Sequence, residues 1–153
     1  RSTFYLACVE GAGKGTRILL FTLKSGENTW SKPIRVGNSP DKAVKVFPSL
    51  SMAGSRPAIL YYDRRNNPNN SLTDVYLSVL VERVSFQDLK INTISTDWTK
   101  ACGDKKYAMI QRNFGDYITL ACKGSTLVAT WTDARSGATR IYARTIKILR
   151  GNN

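Results

Sequence analysis

Twenty residues of this chain occur twice. Residues 46–65 read VFPSLSMAGSRPAILYYDRR and residues 116–135 read DYITLACKGSTLVATWTDAR, and the two align without a gap. Leu50 falls on Leu120, Gly54-Ser55 on Gly124-Ser125, Asp63 on Asp133 and Arg65 on Arg135. A unit that recurs at fixed spacing is one supersecondary motif, and it buries its apolar face only by stacking on its neighbours. The repeat therefore constrains the fold more than any local propensity does.

Carrying the register backward adds a third, partial copy. A shift of 123 residues places Thr16-Arg17-Ile18 on Thr139-Arg140-Ile141, Thr22 on Thr145, Lys24 on Lys147 and Glu10 on Asp133. Residues 3–10 and 16–24, rich in β-branched and large apolar side chains, then form a hairpin about the glycines at 11–15, with a third strand over 30–36. The middle copy predicts strands at 48–52, 57–62, 75–81 and 89–94, and the last predicts strands at 117–122, 126–131 and 140–149. Turns this short join antiparallel neighbours. An Asn-rich insert at 66–70 lengthens one turn, which changes the offset from 70 to 66 and places Val75 on Ile141. Three units follow: a partial one at 3–36 (strands two to four), a complete one at 46–95 and a partial one at 116–149 (strands one to three), with a long connection over 96–115.

Units of four antiparallel strands at this spacing have the pattern of β-propeller blades. The strand and turn sequences YYDRR…DVYLSV and GDYITLA…WTDARSGATRIYARTI resemble the sialidase-like propellers with BNR or Asp-box repeats. KSGENTWSKPIRV resembles the Asp-box and outer strand of that family, with the Asp position lost and Thr29-Trp30 retained. The resemblance implies an all-β fold in which these blades form an incomplete ring, and an extracellular or surface-associated setting. Closed propellers have about four to eight blades, so either the remainder of a longer propeller chain or copies of this chain would complete the ring. The out-of-phase units at the two ends favour the longer chain.

Composition narrows the function. The net charge of +12 and pI near 9.9 favour a polyanionic partner such as an acidic glycan, with nucleic acid the weakest candidate. The chain has no histidine, which excludes His-based triads and His metal sites. No apolar run reaches the roughly 18 residues of a membrane span. Cys8, Cys102 and Cys122 allow at most one internal disulfide and lack metal-ligand spacing.

Glu10 to Thr16 (EGAGKGT) has the look of a phosphate loop, but Cys8 replaces the first glycine and a strand follows where a helix is needed. It reads as a hairpin turn. The Asn-rich loop with Asp74 offers oxygens of the kind calcium takes, yet reads first as a solvated loop, and no metal or cofactor is expected. Asn69-Asn70-Ser71 is a glycosylation acceptor in a secreted chain.

The Asp-x-Arg pairs, Asp63/Arg65 and Asp133/Arg135, end the second strand of their units and share a rim with Asp116, Tyr117 and Arg112. Because the pairs recur, they read first as ion pairs bracing a turn; the first copy departs from them, with Glu10 and Ala12. The family resemblance adds a second role. Sialidases grip a carboxylate with arginines and use a tyrosine nucleophile with an acid/base carboxylate, which makes Tyr117 and Asp116 the catalytic candidates. Arg65, Arg135 and Arg112 are then ligand-binding candidates, together with Trp98 for sugar stacking.

Overall fold

A computed structural model describes residues 2–12, 15–69, 71–101 and 117–148. Among them eleven strands form three antiparallel sheets, none of them closed, with no α-helix. The first sheet holds β1 (Thr3–Glu10), β2 (Arg17–Lys24) and β3 (Ile34–Arg35) in that order. The middle sheet runs β4 (Lys45–Ala53), β5 (Arg56–Asp63), β6 (Leu72–Leu80) and β7 (Phe86–Lys90), and β8 (Thr96–Asp97) pairs with the start of β6. The third sheet runs β9 (Thr119–Lys123), β10 (Thr126–Asp133) and β11 (Arg140–Lys147). No helix among the described residues is long and apolar enough to cross a membrane.

Several boundaries differ from those predicted, and proline explains one of them and a bulge in another. Over 30–36 only Ile34 and Arg35 pair with β2, because Pro33 has no N–H to donate; Ser31 N still reaches Thr22 O at 2.8 Å. The strand expected at 48–52 starts at Lys45, bulged between Val46 and Ser49, where Phe47 has φ 54° and Pro48 again lacks a donor. The fourth strand of the middle unit lies at Phe86–Lys90, earlier than 89–94, and Ile91 N makes the last bond of that run, to Val75 O at 2.7 Å. The connection over 96–115 opens with β8 and a 3-10 turn, Trp98–Lys100; residues 102–115 lie outside the described residues. Cys8 and Cys122 are free thiols, and Cys102 lies outside the described residues.

Strand alternation gives the middle sheet two apolar faces. Ile59, Tyr61 and Tyr76 pack against Ile18, Leu20 and Val36 of the first sheet, and Phe86 joins this cluster. Leu60, Tyr62, Val75, Leu77 and Val79 pack against Leu120, Leu127, Ala129, Trp131 and Ile146 of the third. Removing each large aliphatic side chain of these clusters from water contributes about 1.5–3 kcal/mol. The sheets stack in one sense. Ala129 and Trp131, the counterparts of Ile59 and Tyr61, face the middle sheet just as Ile59 and Tyr61 face the first. The first strand of the middle sheet, β4, touches β1, β2 and β9, and the matched turn glycines meet directly, Gly54 N donating to Gly124 O at 2.9 Å.

Among the described residues the outer faces lack such cover. On the first sheet Phe4 pairs across from Leu23 and Leu6 from Phe21, and Phe4 and Leu6 are exposed. On the third sheet Val128 and Ile141 are exposed, whereas their counterparts Ala58 and Val75 are wholly buried.

Candidate functional site

Each Asp-x-Arg pair closes a strand by the same local chemistry. Asp63 ends β5 with no exposed surface, and its Oδ1 accepts from Arg65 N at 2.7 Å, forming the short side-chain-to-backbone turn that aspartate favours. Its Oδ2 accepts from Arg65 Nε at 2.9 Å and Nη2 at 2.8 Å. Asp133 ends β10 identically, Oδ1 taking Arg135 N at 2.8 Å and Oδ2 taking Arg135 Nε at 2.9 Å and Nη2. The two guanidinium groups then lie over tyrosine rings of the next strand: Arg65 is 3.8 Å from the centre of Tyr76, and Arg135 is 4.5 Å from that of Tyr142. Tyr76 and Tyr142 are 66 residues apart, the offset of their strands, so the ring was visible in the sequence once the repeat was in register. The clamp is therefore Asp-x-Arg plus Tyr, stabilised by charge-assisted hydrogen bonds that converge on one carboxylate oxygen and by cation–π attraction.

Among the described residues only the middle clamp carries a second carboxylate. Arg65 Nη1 donates to Asp88 Oδ2 at 2.6 Å and Nη2 to Tyr61 Oη at 2.9 Å. Ser78 Oγ joins Tyr61 Oη at 2.8 Å and Asp88 Oδ1 at 2.6 Å. The segment after β3 closes over this network: Asn38 N donates to Asp88 Oδ2 at 3.0 Å and Ser39 Oγ to Asp63 Oδ1 at 3.2 Å. Burial works against the Arg65 charge, but Tyr61, Asp88 and Asp63 outweigh it and raise its pKa. All three nitrogens of Arg65 are thus held within the chain. In the third sheet Arg135 Nη1 has a much weaker arrangement, reaching Thr93 Oγ1 at 3.5 Å.

Lys45, unremarked in the sequence, is wholly buried between the first and middle sheets. Its ammonium donates to the carbonyls of Thr16 at 3.0 Å and Pro40 at 3.1 Å. Burial lowers its pKa against the opposing pull of Asp63, with Arg35 and Arg65 adding to the depression.

The other candidates are placed as follows. Tyr117 is 83 % exposed and lies just before β9, whose Thr119 pairs with Thr130, at the Asp133 end of the third sheet. Asp116 and Arg112 lie outside the described residues. Trp98 turns its ring edge-on to Tyr62, centroids 5.3 Å apart at 80°, and packs against the core. Trp30 is largely exposed and Trp131 is buried against Tyr142. Asp74, the candidate calcium oxygen, is buried: Lys90 (2.8 Å), Ser95 (2.7 Å) and Asn92 (3.3 Å) occupy Oδ1 and Asn66 (2.9 Å) occupies Oδ2. Burial would raise its pKa, but these partners, Lys90 foremost, lower it on balance. Among the described residues no cluster of acidic or sulfur ligands could hold a metal ion.

Between the middle and third sheets Tyr62 Oη donates to Thr132 O and accepts from Thr132 N, both at 2.9 Å. Burial pushes its pKa up to about 12, with Thr132 opposing and Asp133 adding; burial, with Asp88, also raises Tyr61. The folded chain therefore keeps protons that the unfolded chain releases near pH 10, so stability falls as pH rises from about 10 through the folded values. The Tyr62 shift alone corresponds to about 3 kcal/mol once both forms are ionised. Lys45 acts oppositely, adding stability with rising pH up to about 10.5, so the loss is read above that value. Urea midpoints and phenolate absorbance followed together should show these two tyrosines ionising only as the chain unfolds. Ionisation of every tyrosine near pH 10 with the fold intact would refute the assignment.

Comparison of the chain with family models, curated proteins and solved structures finds no match.

Proposed function

We propose that the chain forms consecutive blades of a sialidase-like propeller and serves as a binding or structural module whose basic rim meets an acidic glycan or an acidic protein surface. The observation that carries this reading is the repeated clamp. Asp63/Arg65/Tyr76 and Asp133/Arg135/Tyr142 use their guanidinium groups to hold strand ends together, and Arg65 is turned entirely inward. An arginine committed to buried carboxylates of its own chain is not offered to a ligand carboxylate, and this favours binding through other cations over a sialidase-type pocket. The uniform stacking of the sheets and the apolar outer faces support the blade reading. The net charge of +12 supports the polyanionic partner.

Arg140, exposed opposite Asp133, and half-buried Arg64, next to Asp63, stand at the clamp end of their sheets. Binding to a sialylated or sulfated glycan array should weaken about tenfold between 50 and 200 mM salt if two charges are neutralised, by the counting that holds for polyanionic DNA. Arg64→Ala with Arg140→Ala should remove most of that salt dependence. Binding indifferent to both salt and the double substitution would eliminate the charged-glycan version.

One observation favours a second reading, part of an exo-sialidase: Tyr117 is exposed at this same end. Turnover of a fluorogenic sialoside that disappears in Tyr117→Phe would establish it, and glycan binding without turnover would leave the binding module.

A further inference from the structure

In the middle sheet β7 completes two things that the third sheet lacks. Its Asp88 lies opposite Ser78 and takes Arg65 Nη1 at 2.6 Å. Its Phe86 lies opposite Leu80 and is buried in the cluster that includes Leu20, Ile34 and Leu80. Carried to the third sheet in register, Ser78 becomes Arg144 and Leu80 becomes Ile146. There, among the described residues, β11 has no strand on its second edge.

The third sheet lines the first of these positions with two guanidinium groups and the second with apolar side chains. Among the described residues Arg135 Nη1, the counterpart of the Arg65 nitrogen on Asp88, has only Thr93 Oγ1 at 3.5 Å. Arg144 stands beside it on the same face and donates Nη1 to Ile91 O at 2.6 Å. The cross-strand position that holds neutral Ser78 in the middle sheet is thus a second guanidinium in the third. Thr93 also takes the place of Asn38, whose N–H donates to Asp88, because Arg35 and Lys90 occupy matching positions in β3 and β7. Where Phe86 would lie there is a groove of about 270 Å³ between the sheets, lined by Leu77, Leu89, Ile146 and Ile148 among others. Leu77, Leu89 and Ile146 are the counterparts of Leu20, Ile34 and Leu80, the residues that share a cluster with Phe86. The strand itself is basic, RIYARTIK, with no acidic residue.

We infer that the edge of β11 receives an extended polypeptide strand that carries a large apolar residue opposite Ile146 and, two residues on, a carboxylate opposite Arg144 and within reach of Arg135. Backbone pairing along the edge supplies affinity and the two side chains supply specificity, the mode by which strands add to sheets. The aromatic-x-acid spacing is the one β7 uses at Phe86-Gln87-Asp88. This inference rests on the blade reading above and adds to it the chemistry of the missing strand.

The test uses the 153-residue chain and a synthetic peptide copying residues 84–91 (VSFQDLKI). Backbone amide resonances of Arg140–Lys147 should shift on titration. Affinity should fall about tenfold or more when the peptide carries Asp88→Asn or Phe86→Ala. Arg135→Gln in the chain should abolish the preference for the Asp peptide over its Asn version, while the loss from Phe86→Ala persists; the peptide substitutions leave the folding of the chain untouched. Binding at this edge with no preference for Asp over Asn would overturn the carboxylate site yet leave the four-stranded unit standing. Shifts confined to another surface would remove the four-stranded unit as well. Protection of the edge amides from exchange before any peptide is added would show that the edge is already covered and would also overturn the inference.

Discussion

Replacing Arg65 with alanine is expected to destabilise the fold by about 3–5 kcal/mol, the range seen when one partner of a buried ion pair is removed. The substitution strands two carboxylates at once. Asp63 is fully buried and the Asp88 side chain is 11 % exposed, and both lose their main counter-charge while facing each other across the gap it leaves. Arg135→Ala should cost less, about 2 kcal/mol, the range for hydrogen bonds to a charged group, because Asp133 keeps Trp131 Nε1 at 3.2 Å and the backbone N–H of residue 135 and no second carboxylate is left unpaired. Adding Asp88→Asn to Arg65→Ala should recover part of the loss, since neighbours in one network do not add. Urea unfolding of the three variants decides the matter. Equal losses at the two arginines would mean that Asp88 contributes nothing to the clamp.

The second large effect is expected at Gly37. Its φ is +70°, and a Cβ placed there would fall inside van der Waals contact of Tyr61 Oη and 3.0 Å from both Asp88 Oδ1 and Ser78 Oγ. Left-handed backbone costs an alanine about 1–2 kcal/mol and overpacking a further 1–3, so Gly37→Ala should destabilise by roughly 3 kcal/mol. The damage should be local to the junction, with Asn38 and Ser39 pushed off the network and amides of β2 exchanging sooner than those of β10. Gly54 and Gly124 share the positive φ but have nothing within 4 Å of the place a methyl group would take, so alanine there should cost only about 1–2 kcal/mol. A Gly37→Ala variant as stable as Gly54→Ala would show that the loop does not bear on the network.

The repeat made most of the strand order legible, because Leu50/Leu120, Asp63/Asp133 and Arg65/Arg135 each report the same environment twice. Features used once were not legible. Asp88 braces only the middle clamp, so no second copy drew attention to it. Lys45 has the composition of a surface residue, and its burial depends on carbonyls of Thr16 and Pro40 brought in from the first sheet. Residues 37–41, a break between strands by their Gly, Pro and Asp content, hold the first sheet to the middle one through side-chain bonds that composition does not encode. Trp98 lies in a connection, yet reaches Tyr62 because β8 pairs back onto Leu72 and Thr73, a contact fixed by tertiary structure. The third strand of the first sheet is short because Pro33 lacks a donor, and β4 runs through Pro48 only by way of a bulge.

The outer faces of the first and third sheets differ in shape and composition, one bearing Phe4 and Leu6 and the other Val128 and Ile141. Joining the outer face of the first sheet to that of the third sheet on another copy is a heterologous, head-to-tail contact. Every junction of that kind covers one face of each type and leaves one of each type open at the ends of the row. The rotation between successive sheets then decides the outcome: a row whose turn divides the circle evenly ends as a closed ring, and one whose turn does not grows as a fibre. The angle set by the buried contacts between these three sheets, together with the angle at the junction between copies, therefore decides whether such an assembly has a definite size.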